Sequence, residues 1–196
     1  MRKIFILMTI CFALIAFSQT SAVSSSVLIS EIKIGEEGAA DNEFIELYNT
    51  TGADIDLAGW NLKKKTQSGA ESNLVSSSKM AGVIPAYGYF LISHPDFKEA
   101  LGADLAYSGT SYYISANNTI ILYDATGNVM DKTGYGEAND FEGAVAPAPE
   151  NGKSIARKIT NSLMQDMDNN SADFEIKDVP DPQNIASAKL VPSSNA

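Results

Sequence analysis

From Val27 onward, short apolar runs rich in Val, Ile, Tyr and Phe are separated by clusters of Gly, Asn, Asp and Ser. That pattern predicts strands at 27–34, 43–49, 54–57, 60–65, 73–77, 89–93, 112–115, 119–124, 129–135 and 154–158. Short strands spaced in this way predict an all-β sandwich. Pro95 to Leu101 predicts a short helix, started by Pro-Asp and stopped by Gly102. Both faces of the run Ile120 to Tyr123 are apolar, so it is expected at the centre of a sheet. The turn Ala125-Thr126-Gly127-Asn128 returns it as a hairpin, with Gly127 free to take a positive φ. Gly136 to Gly152 carries Pro147 and Pro149 and is expected to be a loop. A further strand is expected near Asp173–Ile176, and the prolines beyond it predict a docking tail that ends in frayed residues.

The first 22 residues show a different pattern. Arg2 and Lys3 precede an apolar run from Ile4 to Phe17, and Thr20-Ser21-Ala22 closes it with the small residues that a signal peptidase reads. The run is too short for a membrane span, which needs about 20 apolar residues. Cys11 comes after Ile10, not a small residue, which argues against a lipid anchor. The expected organisation is a cleaved signal peptide at 1–22, one domain at 23–184 and a flexible tail at 185–196. Cleavage removes the single cysteine and two cations, leaving 174 residues and moving the formal charge from −10 to −12. The mature chain therefore has no disulfide to rely on and must be held by core burial, of which a chain this long is capable. Its acidity argues against nonspecific nucleic-acid binding and adhesion to anionic membranes, and favours cationic partners or metal ions.

Ile29-Ser30-Glu31-Ile32, Glu43 to Asn49 and Asp56 to Leu62 with Trp60, in that order and spacing, resemble the lamin-tail domain in its bacterial, secreted form. The likeness continues through Ile84 to Leu91, Asn118 to Asp124, Gly127 to Asp131, Gly152 to Lys158, Asp166 to Phe174 and Pro182-Gln183-Asn184. It implies an immunoglobulin-like β-sandwich with no catalytic residues of its own, a domain that in larger exported proteins often accompanies hydrolases. The chain departs from the family pattern at Gln67 to Lys79 and in the acidic loop after Tyr135, where partner-specific surface is expected.

Candidate chemistry is sparse. Glu31, Glu43 and Glu46 lie on neighbouring predicted strands, and paired carboxylates can hydrolyse glycosidic bonds. The more economical expectation is structural: a buried carboxylate needs a partner, and Arg157 is expected to neutralise Glu31 or Glu46. His94, the only histidine, is expected at a solvated strand end without a triad or a zinc site around it. Asp166, Asp168 and Asn170 place oxygens at alternate positions, as a calcium loop begins, but Ser171 and Lys177 break the rest of the motif. An Asx turn is the competing expectation. Lys63-Lys64-Lys65 is expected to guard a sheet edge, and Trp60 to lie in the core.

The function expected from these features is a non-catalytic secreted module, either structural or for interaction. It would bind a protein or an extracellular polymer through loops 35–42, 66–79 and 136–152, with no cofactor required. Two alternatives carry specific residues: a hydrolase of envelope polymers acting through Glu31 and Glu46, and a calcium-dependent adhesion module using Asp166, Asp168 and Asn170.

Overall fold

The structure, a computed structural model, describes residues 25–193; the expected signal segment at 1–22 lies outside them. The strands are β1 (Val27–Lys33), β2 (Phe44–Asn49), β3 (Ile55–Asp56), β4 (Asn61–Lys65), β5 (Glu71–Val75), β6 (Val83–Ile84) and β7 (Tyr89–Ser93). After β7 a 3-10 turn (Pro95–Phe97) runs into a one-turn helix, α1 (Lys98–Leu101), which Gly102 ends in the left-handed region. Next come β8 (Leu105–Ala106), β9 (Thr119–Tyr123), β10 (Val129–Gly134), β11 (Ser154–Arg157), β12 (Ile159–Thr160), β13 (Leu163–Met164), α2 (Asn170–Asp173) and β14 (Phe174–Lys177). No strand forms at 112–115, where one was expected; the chain there covers the end of the core instead, with Ile114 buried.

Two sheets face one another, as in an immunoglobulin-like sandwich. One has the order β14-β11-β1-β2-β7-β8 and the other β10-β9-β4-β5, and all neighbours are antiparallel except β7 and β8. The core results from the two-residue period of extended chain. Val27, Ile29 and Ile32 of β1, Ile45 and Leu47 of β2, and Phe90 and Ile92 of β7 point inward to meet Leu62, Ile120 and Leu122 of the opposite sheet. Trp60, 8% exposed, packs in the same cluster. The central position of β9, between β10 and β4, agrees with its two apolar faces. By contrast β4 is also internal, so Lys63 to Lys65 guard no edge. They lie across the sheet surface instead, with Lys63 over the Tyr123 ring and paired to Glu71, and Lys65 paired to Asp140.

A β-bulge in β1 between Ile29 and Glu31 lets Ile29 and Ile32 both face the core, while Ser30 and Glu31 serve the outer face. It also leaves the Ile29 N–H free of the ladder, and this donates to Asp131 Oδ2 at 2.6 Å from β10 in the other sheet. Onto the same carboxylate comes Arg157 of β11. Its Nη2 donates to both Asp131 oxygens at 2.9 and 3.1 Å, its Nε to the Ile29 carbonyl at 3.1 Å, and its plane lies over the Phe174 ring. Asp166 and Asp173 approach the other guanidinium nitrogen at 3.3 and 3.5 Å.

The expected pairing of Arg157 with Glu31 or Glu46 is therefore corrected. Ala156, not Arg157, is the Cα partner of Glu31, so alternation along β11 turns Arg157 to the inner face and leaves both glutamates on the outer one. The cation of Glu31 is Lys177, at 3.5 Å.

Arg157→Met should strand Asp131 and Asp173, both buried, without their cation, a loss of about 3–5 kcal/mol. Urea unfolding should show a matching fall in midpoint, and the double variant with Asp131→Asn should lose less than the two single changes summed.

Candidate functional site

On the outer face of the six-stranded sheet, Glu31 and Glu46 are direct cross-strand neighbours, and each is only 3% exposed. Glu31 Oε1 accepts the Ser154 hydroxyl at 2.5 Å and the Asp181 N–H at 3.2 Å. Glu46 accepts the Ser30 hydroxyl and the Gln183 N–H, each at 2.5 Å. Beside them lies a cavity of about 140 Å3 rimmed by Tyr89, Met164 and Lys177. Burial pushes the Glu46 carboxyl up to about 8, with Glu31 adding to the rise and Ser30, Gln183 and Lys177 opposing it. The oxygens of both carboxylates are taken by the chain's own hydroxyls and amides, and the cavity beside them is small against the roughly 300–1,000 Å3 of ligand clefts. The two carboxylates fasten a segment of the protein.

The Asp166–Asn170 loop has the opposite polarity from a calcium loop. At its centre sits the Asp173 carboxylate, which accepts the N–H groups of Met167 and Asn169. Asp166 turns to Arg157, and Asp168 is exposed with φ near 51°. Asn170 is buried: its Oδ1 accepts the N–H groups of Gly134 and Glu142, and its Nδ2 donates to the Lys132 carbonyl, so it extends β10 as a strand would. The three expected ligands thus do not converge. Asn169 caps α2 by accepting the Ala172 N–H, which is the short-range Asx bonding that competed with calcium in the sequence.

His94, expected in solvent, is fully buried. The segment after β8 lays Tyr113 against its ring, stacked at 5.1 Å, and Tyr107 at its edge. Its Nε2 faces the Thr110 carbonyl and its Nδ1 accepts the Asp96 N–H. Asp41 and Asp96 stand 3.8 and 3.9 Å from the ring, and one oxygen of each lies within 4.8 Å of a single ring nitrogen and of the other. Both ring nitrogens are already engaged, by the Thr110 carbonyl and by the Asp96 N–H.

What remains open is the end of the sandwich where β1, β4 and β10 stop. Loop 35–42 meets loop 136–152 through Glu37 N–H on Asn151. The turn at 66–70 meets it through Asn139 on the Gln67 carbonyl and Gln67 on Glu137. The expected loop 66–79 is shorter than that range, since β5 occupies its middle. Asp140 is held by Lys65 and Lys132, at 2.8 and 2.7 Å. Glu37 and Glu137 are exposed at the tips. Glu43, named in the sequence among the strand carboxylates but given no partner there, lies beneath this end: it is fully buried, accepts the Ile114 N–H at 3.0 Å, and burial pushes its carboxyl up to about 8. Asp41 and Asn42 before it gave no sign of that burial; only Phe44 and Ile45 after it did.

The profile of the Lamin Tail Domain family matches residues 20–137, more than half of the chain. It spans β1 to β10 and stops before β11. No curated protein matches.

Two outcomes test this geometry. Glu43, Glu46 and Glu142 all hold their protons to higher pH in the fold than the ordinary 4.5, Glu142 to about 7, each chiefly through burial. The folded state binds more protons than the unfolded one between 4.5 and 8, so stability falls as pH rises through that window. Urea midpoints should be higher at pH 5 than at pH 8.5, and Glu43→Gln should narrow the gap. Asp124, held down to about 2 by Asn128 and Thr126, acts only at more acid pH. For the 166–170 loop, millimolar calcium should leave the melting temperature unchanged, while Asp173→Asn, which removes the central charge, should lower it in a thermal scan.

Proposed function

The chain belongs to the lamin-tail-domain family, and from that premise we propose that it is an exported, non-catalytic interaction module of the cell exterior. Its binding surface is the loop end formed by 35–42, 66–70 and 136–152, and its partner is a cationic protein or polymer. The observation that carries this reading is where the acidic groups lie. The deep ones are consumed by the fold: Asp131 and Asp173 by Arg157, and Glu31 and Glu46 by backbone amides. Glu37, Glu137 and Glu150 are left exposed on loops that a rigid sandwich presents together, while other exposed acids such as Asp54, Asp96 and Glu175 stand apart from them.

Catalysis has no comparable support. A general base must reach a reacting group, or a metal must keep an open position. Among the described residues, the buried carboxylates and His94 are enclosed by their own chain. Export rests on the charged, apolar and small-residue sequence of 1–22, with cleavage after Ala22. The family domain is compatible with an interaction role, and the acidity of the chain favours a cationic partner over nucleic acid or an anionic membrane.

Charge reversal at the loop tips tests the proposal. Glu37→Lys with Glu137→Lys should abolish capture of a basic partner from envelope extracts while leaving the melting temperature unchanged. Capture by the unaltered protein should weaken from 50 to 500 mM salt, because exposed charges are screened within about 10 Å at 0.1 M. Equal capture by the charge-reversed protein would move the binding surface elsewhere.

A further inference from the structure

After β14 the chain crosses the outer face of the six-stranded sheet as a strap, residues 178–193, that joins no sheet. The strap is fastened at five places by hydrogen bonds. Asp181 N–H goes to Glu31, Gln183 N–H to Glu46 and Ile185 N–H to Asp104. Asn184 Nδ2 donates to the Gly102 carbonyl. At the far end the Leu190 N–H meets the Tyr87 carbonyl, and the Tyr48 hydroxyl donates to the Leu190 carbonyl. No side chain of the strap is buried, and Val179, Ile185 and Val191 are at least half exposed. Segments with few buried apolar contacts open at a small fraction of the global unfolding free energy.

We propose that this strap is a proton-controlled cover: it stays closed while Glu46 is protonated and lifts from the sheet as Glu46 ionises. The groups that face Glu46 decide the sign. β1 contributes Glu31 and the Ser30 hydroxyl, β7 contributes Tyr89, β14 contributes Lys177, and the strap itself contributes Asp181. Lys177 is already shared between Glu31 and Asp181 at 3.5 and 3.7 Å, and Arg157, which lines the same cavity, spends its guanidinium on Asp131, Asp166 and Asp173. Ionising Glu46 adds a further negative charge to a largely buried site with no uncommitted cation to meet it.

When the strap is closed, a protonated Glu46 still serves both partners, because one oxygen accepts the Gln183 N–H while the acid proton turns to the Ser30 oxygen. With the strap lifted, water reaches the carboxyl and its affinity for the proton falls toward the ordinary value. The closed form therefore binds the proton and the open form releases it. Rising pH favours opening, by up to about tenfold per pH unit where the two forms differ by one proton. Asp104, which burial also pushes upward and which holds Ile185, contributes in the same direction at lower pH. Release uncovers Tyr48 and Tyr89, whose rings pack at 5.2 Å and now lie almost entirely buried.

Amide hydrogen exchange on the intact protein, expressed as protection factors so that base catalysis cancels, tests the device. Protection at Asp181, Gln183 and Leu190 should fall at least tenfold between pH 6 and pH 8.5, while Leu47 in β2 keeps its protection. Glu46→Gln should hold the strap closed at both values. Gln183→Pro, which deletes one N–H in an exposed segment, should leave Asp181 and Leu190 poorly protected at both. Strap protection that is flat with pH, a loss shared equally by Leu47, or an unchanged pH response in Glu46→Gln would each overturn the proposal.

Discussion

The sandwich depends on one buried cation. Arg157 reaches from β11 of the six-stranded sheet to Asp131 on β10 of the other, and it does so at the place where the bulge in β1 leaves the Ile29 N–H in need of an acceptor. Burial pushes the Asp131 carboxyl upward and the guanidinium beside it pulls back, so the two charges are tenable only together. The described chain has no cysteine and no disulfide to tie sheet to sheet. An ion pair backed by an aromatic ring and two further carboxylates stands in that position. The same cation governs the 166–170 loop, since Asp173 can organise it only while Arg157 balances the charge.

β1, β2 and β7 are buried on both faces, which is unusual for antiparallel strands in a two-layer fold. The reason is that the outer face is not left to solvent. The strap covers Glu31 and Glu46, and α1 lies against the small cluster of Phe44, Leu91 and Ala103. Covering a sheet face that carries carboxylates has an electrostatic cost, which at Glu46 appears as a proton affinity raised by burial in spite of Lys177 nearby. Glu31 is in direct contact with that lysine.

The family match ends at residue 137, whereas β11 and β14, which complete one side of the six-stranded sheet, and the strap over its outer face come later. β11, β14, the anion-centred loop and the strap therefore close the sandwich from outside the matched region. The loop end is shared between the two parts: loop 35–42 and the 66–70 turn lie within the match, and most of 136–152 lies beyond it. A surface assembled from both sides of that boundary is where one member of a common fold can differ from another.

Sequence by itself determined the strands. β1, β2, β4, β7, β9, β10 and β11 lie where short apolar runs and turn residues placed them, because a two-residue period and a glycine or proline break act locally. The place of Trp60 was legible for the same reason. Partners of charged residues were not, because they depend on which face a strand turns inward and on what later covers it. A shift of one residue along β11 separated Arg157 from the glutamates, and a bulge at Ser30 set which β1 side chains face out. His94 went from strand end to core because residues far along the chain fold over it. Asp166, Asp168 and Asn170 had the spacing of a cation loop, but Asp173, brought by α2, filled its centre with an anion. Only tertiary structure decides such matters, since burial and the sign of the nearest charge are properties of what is packed alongside and not of the residue itself.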